Sequence, residues 1–85
     1  MTTTTIRIAI NGAKGKMGTQ AVSAVKNDPE LTLVGTFDHH DDLIDCIHHS
    51  KADVVIDFTT AKFAFQNTQK IIDAGAHPVI GTTGF

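Results

Sequence analysis

The sequence predicts an α/β fold in which a parallel sheet of about four strands is doubly wound with helices. Four short apolar runs recur along the chain, and each is bounded by Gly, Asp or Pro, which is typical of buried strands. Segments with a helical spacing of apolar residues lie between these runs. Because strands that alternate with helices form parallel sheets with right-handed crossovers, the pattern predicts βαβ units throughout.

The predicted strands occupy residues 6–10, 31–37, 53–58 and, for the fourth, a run that opens at 78–80. The first helix is predicted at residues 16–26. One face of it carries Met17, Ala21, Ala24 and Val25. The segment Asn27-Asp28-Pro29 then ends this helix.

A short second helix carries Leu43, Ile44 and Ile47, with Asp41 or Asp42 as its N-cap. The third helix is predicted at about residues 60–74, with Gly75 in the left-handed position that follows a helix. Its predicted packing face consists of Ala64, Thr68, Ile71 and Ile72, and Phe63 and Phe65 are also expected to pack.

Composition excludes several classes of function. The 85 residues are 41% hydrophobic and carry a formal net charge of −2, so we expect one globular domain without a nucleic-acid partner. No apolar run is long enough to span a membrane, and the lone Cys46, expected to be a buried inert thiol, gives no sign of secretion. We therefore expect a cytoplasmic protein. We expect the five histidines to be solvated surface residues and not a metal site, because adjacent histidines cannot easily share one ion.

A glycine-rich loop follows the first strand directly. The segment 11–18, NGAKGKMG, contains the pattern G-x-x-G-x-x-G and leads into a helix. Its physics matches that of the Rossmann-like dinucleotide fingerprint. Gly12 would turn the chain, Gly15 would let backbone approach a pyrophosphate, and Gly18 would let the helix pack close to the sheet. The alternative is a tight βα turn without a ligand.

An acid ends the second strand. Asp38 lies 20 residues after Gly18, where a carboxylate would accept hydrogen bonds from the adenosine ribose. The alternative is a surface turn residue. A carboxylate there would repel a 2′-phosphate and favour NAD, whereas a protonated His39 could admit NADP, so the choice of cofactor stays open.

The third and fourth strands end in polar segments, Asp57-Phe58-Thr59-Thr60 and Gly81-Thr82-Thr83-Gly84. In a parallel sheet these ends meet at one edge, and we expect a crevice where the strand order reverses between the first and third strands. Gly81 and Thr83 would offer polar groups to a nicotinamide or a carboxylate. The alternatives are N-capping of the third helix by Asp57 or Thr59, and a plain turn at 81–84.

Taken in order, these motifs resemble the amino-terminal domain of the 4-hydroxy-tetrahydrodipicolinate (dihydrodipicolinate) reductases. The resemblance covers the chain from Ile6 and is carried by GAKGKMG at 12–18, DFT at 57–59 and VIGTTGF at 79–85. It implies reduction of a cyclic dicarboxylate by NADH or NADPH in the diaminopimelate route to lysine, usually by a homotetramer.

The resemblance also implies roles for individual residues. The pyrophosphate would be held by Gly12, Ala13, Lys14, Gly15, Lys16 and Met17. Asp38 would bind the ribose, the basic residue at His39 would meet a 2′-phosphate, and Gly81, Thr82 and Thr83 would lie beside the nicotinamide. The family's catalytic histidine and lysine lie in a second domain, so we expect no catalytic residue here and expect residues 1–85 to be a fragment of a two-domain enzyme. Two departures are His39, a weaker cation than arginine, and Thr60-Ala61, where many members have a proline turn.

The sequence leaves other functions open. One is another two-domain dehydrogenase, of the aspartate-semialdehyde or homoserine type. Another is a module that senses NAD(H) without turnover, and a third is a folding fragment that binds nothing.

Overall fold

The computed structural model describes residues 5–38 and 40–81, and in this part of the chain strands and helices alternate strictly. The elements are β1 (Ile6–Asn11), α1 (Lys16–Lys26), β2 (Leu31–Phe37), α2 (Leu43–Ser50), β3 (Val54–Asp57), α3 (Ala61–Asp73) and β4 (His77–Ile80). The four strands form one parallel sheet in the order β2-β1-β3-β4. The predicted doubly wound α/β fold is confirmed, and so is the reversal of strand order between β1 and β3.

The sheet buries both of its faces, because alternate residues of the strands point to opposite sides. Ala9 and Val55 lie on the side covered by α2 and α3, where Ile47 and Ile71 belong to the same buried cluster. On the other side, Ile8 and Ile10 form a second cluster with Val25 of α1. Burial of both faces explains why the strand sequences show continuous runs of apolar residues instead of strict alternation.

Element ends follow local capping chemistry. The α1 helix has the predicted bounds, and the backbone N–H of Asn27 donates to the carbonyl oxygen of Ser23 at its end. Of the two candidates for the α2 cap, Asp42 is the one used, and its carboxylate accepts from the Asp45 backbone N–H at 3.1 Å. Gly75 has φ +88°, the left-handed conformation predicted after α3.

The packing faces of two helices differ from the prediction. Met17 is 56% exposed and Ala24 is also exposed, because α1 is oriented so that Gly18 and Val25, each one position further along, are its buried residues. On α3 the buried residues are Ala64 and Ile71, seven positions apart.

The next residues along α3, one position further, are turned about 100° away from the core. Phe65 is therefore 81% exposed and Ile72 is 53% exposed, and the prediction that they pack is wrong. Phe63 is 45% exposed, so it too is no core residue. Thr68 is half-buried, and its hydroxyl donates to the carbonyl oxygen of Ala64 at 2.7 Å.

Cys46 lies half-buried beside the cluster on the α2 and α3 side of the sheet. Burial raises the pKa of its thiol, and the nearby carboxylates of Asp41, Asp42 and Asp45 raise it further. A thiol that stays protonated is a poor nucleophile, which agrees with the expectation of an inert side chain. Within the described residues, no helix is long and apolar enough to cross a membrane.

Candidate dinucleotide site

The glycine loop leaves β1 at the carboxyl edge of the sheet and is fixed to the neighbouring strands. Gly12 has φ +78°, a conformation that favours glycine, and a Cβ there would lie 3.1 Å from the carbonyl carbon of Phe58. The backbone N–H groups of Gly12 and Ala13 both donate to the carbonyl oxygen of Phe37, at 2.9 and 3.3 Å. The predicted sharp turn is therefore present, and it is held from two sides.

Gly15 stands at the N-terminus of α1, where an added side chain would make one ordinary contact. Its φ of −73° is ordinary, and the nearest atom to an added Cβ would be the Gly12 carbonyl oxygen at 3.7 Å. Among the described residues no side chain caps this helix, so the first backbone N–H groups of α1 have no side-chain acceptor there. Uncapped N–H groups and the positive end of the helix dipole, next to an open glycine, fit the phosphates of a dinucleotide.

Glycine is required at position 18 because another part of the backbone lies very close to it, but that part is not the sheet, contrary to the prediction from the sequence. A Cβ at this position would lie 2.7 Å from Ala13 Cα and nearer still to the Gly12 carbonyl oxygen. The prediction placed the close contact between helix and sheet. The structure places it between α1 and the glycine loop, so Gly18 fixes the loop against the helix that follows it.

Asp38 lies beyond the end of β2, opposite the glycine loop. One carboxylate oxygen accepts from the His40 backbone N–H at 2.9 Å, and the other pairs with Lys14 Nζ at 3.0 Å. The Asp38 backbone N–H donates to the carboxylate of Asp41 at 2.9 Å. The hydrogen bond from His40 lowers the pKa of Asp38, and Lys14 lowers it further, so this carboxylate is ionised and available as an acceptor.

Asp57 is fully buried at the end of β3, where it stabilises the carboxyl edge of the sheet through hydrogen bonds. Its Oδ1 accepts from the Thr59 backbone N–H at 2.9 Å and lies 3.5 Å from Nδ2 of Asn11, the last residue of β1. The N-cap of α3 is Thr60, without a side-chain hydrogen bond, so neither Asp57 nor Thr59 caps that helix. Asp57 instead orders the turn that leads from β3 into α3.

These segments surround a cleft of about 690 Å³, within the size range of ligand sites in proteins. Its walls come from the glycine loop, the segment after β2, the end of β3 and one face of α3. The residues that line it are Asn11, Gly12, Lys14, Gly15, Asp38, His40, Asp41, Leu43, Phe58, Thr59, Thr60, Phe63, Gln66, Asn67 and Lys70.

The sequence-predicted site residues fall into three groups. Four of them line the cleft: Gly12, Lys14, Gly15 and Asp38. Four others do not line it, namely Ala13, Lys16, Met17 and Gly81. The remaining three, His39, Thr82 and Thr83, lie outside the described residues.

Gly81 serves the sheet rather than offering its backbone N–H to a ligand. That N–H donates to the carbonyl oxygen of Asp57 at 2.9 Å, continuing the ladder between β3 and β4. A Cβ at this position would lie 2.7 Å from Cδ1 of the Phe58 ring. The absence of a side chain therefore leaves room for Phe58, which reaches the cleft from the end of β3.

The wall formed by α3 is a feature that the sequence reasoning did not find. Phe63, Gln66, Asn67 and Lys70 lie at i, i+3, i+4 and i+7, so they share one face of the helix and border the cleft. The Asn67 side chain donates to the Thr59 hydroxyl at 2.9 Å, which ties this face to the end of β3. That spacing, on a helix that begins at the ligand-binding edge, is the signal that could have revealed the wall.

Metal chemistry finds no support in the described residues. In the ranges 5–38 and 40–81, no three His, Cys, Asp or Glu side chains are grouped so that they could hold a metal ion.

Comparison with known proteins agrees with this geometry. Residues 6–85 match the family model described as dihydrodipicolinate reductase, N-terminus. The 4-hydroxy-tetrahydrodipicolinate reductase of Coxiella burnetii (strain Dugway 5J108-111) is 47% identical over 79 residues, covering 93% of this chain and 33% of that protein. The enzyme of the same name from Corynebacterium urealyticum is 44% identical over 80 residues, covering 94% of this chain and 32% of that protein. The chain thus spans about a third of the length of these relatives.

Solved structures show the same likeness. A dipicolinate-bound dihydrodipicolinate reductase from Paenisporosarcina sp. TG-14 superposes with a TM-score of 0.86 at 35% identity, over 95% of this chain and 38% of that one. A Rex-family repressor superposes with a TM-score of 0.74 at 19% identity, over 92% of this chain and 46% of that one, which shows a shared fold and no more. By its match over residues 6–85, the chain belongs to the dihydrodipicolinate reductase family, in the amino-terminal part of its members.

Proposed function

We propose that this chain is the cofactor-binding domain of an enzyme that reduces 4-hydroxy-tetrahydrodipicolinate with NADH or NADPH. The observation that carries the proposal is the glycine loop, which joins β1 to an uncapped α1 and opens onto the cleft at Gly15. The family match and the names of the relatives support the reaction. The length of those relatives supports a second domain that completes the enzyme.

In this proposal the loop holds the pyrophosphate. Gly15 gives the phosphates access to the backbone, the N-terminus of α1 supplies N–H donors, and the ammonium groups of Lys14 and Lys16 add positive charge. Ala13 and Met17 complete the loop without lining the cleft. The hydroxyls of the adenosine ribose donate to Asp38, whose carboxylate is held in place by the His40 backbone N–H.

The nicotinamide, when bound, supplies the hydride for the reduction. The run Gly81, Thr82 and Thr83 comes after β4 in the sequence, and we propose that it binds beside this ring. The residues that grip the dicarboxylate and donate its proton belong, in this proposal, to the second domain. The whole enzyme would be a cytoplasmic homotetramer of the diaminopimelate route.

Two measurements test the proposal. The protein encoded by the complete gene should oxidise NADH or NADPH in the presence of 4-hydroxy-tetrahydrodipicolinate, whereas the 85-residue chain should bind the cofactor without turnover. The Gly15→Ala variant of the complete protein should lose affinity for the cofactor, because its Cβ would occupy the space that the phosphates need. No cofactor oxidation on this substrate by the complete protein would refute the assigned reaction.

A further inference from the structure

We propose that Asn11 is a site of spontaneous deamidation, that opening of the glycine loop sets the rate of the reaction, and that the product disables the loop. Asn11 is followed by Gly12. The other two asparagines, Asn27 and Asn67, are followed by residues that have side chains. A backbone nitrogen reaches the side-chain amide before it most readily when its own residue has no side chain in the way, as in glycine. The modification itself does not depend on the cofactor, whereas its consequence for binding rests on the proposed function.

The reaction is a ring closure followed by a hydrolysis. The backbone nitrogen of Gly12 forms a bond to Cγ of Asn11, the bond from Cγ to Nδ2 breaks, and Nδ2 leaves as ammonia with the proton that the backbone nitrogen gave up. Water then opens the cyclic imide at either of its carbonyl carbons. The product is aspartate, or isoaspartate, in which the main chain runs through the side-chain carboxyl carbon. Water is the co-reactant, and nothing is oxidised or reduced.

The folded edge of the sheet keeps the reacting groups from meeting. Asn11 is 5% exposed and pairs with Phe37 of β2 on one side and with Asp57 of β3 on the other. The Gly12 backbone N–H donates to the carbonyl oxygen of Phe37 at 2.9 Å, and Asn11 Nδ2 lies 3.5 Å from Oδ1 of Asp57. In a strand the side chain stands out from the sheet while the next backbone nitrogen continues along it, so ring closure requires rotation of the Asn11 backbone and rupture of these contacts. Deamidation therefore proceeds from an opened loop.

The product does not fit the place that Asn11 occupies. The amide of Asn11 offers a donor to the buried carboxylate of Asp57, whereas a carboxylate at position 11 has only acceptors and repels it. Isoaspartate also lengthens the main chain by one carbon, directly before the turn at Gly12. That turn has φ +78° and lies against the backbone of Phe58, so it cannot absorb a displacement of β1. Either product therefore moves the loop from the position in which it would hold a pyrophosphate.

A ligand on the loop should slow the reaction. A cofactor that binds the closed loop and not the opened one lowers the population of the opened form by the factor 1 + [L]/Kd. NADH at about ten times its Kd should thus slow deamidation about tenfold. The cofactor-free protein would lose its loop over time, while the cofactor-bound protein would keep it.

The experiment incubates the 85-residue chain in neutral buffer, in urea that unfolds it, and in buffer with NADH. Peptide mass spectrometry and an isoaspartate assay follow each asparagine. We expect Asn11 to react in all three samples, at least about tenfold more slowly in buffer than in urea, and more slowly again with NADH. Asn27 and Asn67 are the internal controls, and in urea both should react more slowly than Asn11.

Two variants test the consequence for the loop. Asn11→Asp carries the aspartate product from the start, and its Tm should lie at least about 4 °C below that of the unaltered chain. Asn11→Ser keeps a small hydrogen-bond donor without the reactive amide. During long incubation it should keep its starting Tm, while the unaltered chain should develop a fraction that unfolds at lower temperature and fails to bind NADH, in step with conversion of Asn11.

Equal rates at Asn11 in the folded and the unfolded chain would overturn the control by loop opening. No reaction at Asn11 in the unfolded chain, or none in the folded chain, would overturn the site itself. An Asn11→Asp variant with unchanged Tm would overturn the loss of the loop. If NADH binds in a separate titration but does not slow the reaction, the inference fails. If NADH does not bind, the proposed function fails, and the rates in buffer and in urea still decide the inference.

Discussion

Replacing Gly18 with alanine tests how the glycine loop is held against α1. The added Cβ would lie 2.7 Å from Ala13 Cα, about 0.8 Å closer than carbon atoms pack in protein interiors. The atoms it meets belong to the backbone of Gly12 and Ala13, so no side chain can rotate away. The N–H groups of this backbone also donate hydrogen bonds to the carbonyl oxygen of Phe37, at the end of β2.

The expected cost follows from overpacking, which destabilises proteins by about 1–3 kcal/mol. Alanine has a higher helix propensity than glycine, which offsets at most about 1 kcal/mol of that cost. Because this clash is with backbone, the upper part of that range applies, about 2–3 kcal/mol, and we expect Gly18→Ala to lower the free energy of unfolding by a net value of about 1–2 kcal/mol. In a domain of this size, each kcal/mol lowers Tm by about 4–8 °C.

Gly15→Ala is the matched control, close by in the same loop. Gly15 has φ −73°, and the nearest atom to the added carbon is 3.7 Å away. The entropic gain from alanine is offset by its lower preference for the N-cap position, so the free energy of unfolding should change by less than about 0.5 kcal/mol. Thermal and urea unfolding followed by circular dichroism would measure both variants. A Gly18→Ala variant as stable as the unaltered chain, with unchanged amide shifts in the loop, would refute the contact between loop and helix.

Three other predictions concern single side chains. Asp42→Ala removes the cap of α2 and should lower the free energy of unfolding by about 1 kcal/mol in urea titrations, with Asp42→Asn as the control that keeps a capping oxygen; no loss in the alanine variant would contradict the cap. Ile71→Ala should cost about 2–5 kcal/mol because Ile71 is fully buried, while Ile72→Ala should cost less than about 0.5 kcal/mol because Ile72 is 53% exposed; equal losses would mean that the packing face of α3 is misplaced. The folded-state pKa of Asp38 lies below its ordinary value of 3.8, so its ionised form is favoured above that pH and lost as the pH falls through the lowered pKa. The carbon resonance of its carboxyl group should therefore titrate at lower pH than in an unfolded peptide, and Lys14→Met should move the midpoint upward; a midpoint that stays fixed in this variant would show that Lys14 does not act on Asp38.

The elements that the sequence predicted well are those set by local chemistry. The bounds of α1 depend on the glycine loop before it and on Asn27 to Pro29 after it, and the structure has the same bounds. The reversal of strand order follows from the rules that govern βαβ units, and it places the ends of β1 and β3 side by side. Gly12 turns the chain after β1, as the sequence predicted, and it does so with a positive φ.

The sequence-based predictions are wrong where the orientation of a helix on the sheet decides which of its residues are buried. Apolar spacing assigns Met17 to the packing face of α1, but the structure buries Gly18, the next residue, and only the orientation of the helix on the sheet decides between them. Likewise, Ile71 and Ile72 are equally apolar, and only the orientation of α3 on the sheet separates the buried residue from the exposed one. Cleft residues on α3, such as Phe63 and Lys70, escape sequence reasoning for the same reason.

The pairing of Lys14 with Asp38 also lies beyond what the sequence predicts. The two residues are far apart in the chain, and they meet because β1 and β2 are neighbours with parallel register, so that Asn11 lies beside Phe37. The family resemblance assigns Lys14 to the pyrophosphate. Strand pairing is what brings its ammonium group to the carboxylate of Asp38.

The central claim is that this chain holds a nicotinamide dinucleotide on its glycine loop, and an amide NMR titration with NADH and then NADPH tests it most directly. We expect dispersed resonances with saturable shifts at Gly12, Lys14, Gly15 and Asp38, while residues away from the carboxyl edge of the sheet, such as Gly75, stay unchanged. Dispersed resonances that respond to neither cofactor at millimolar concentration would contradict the claim.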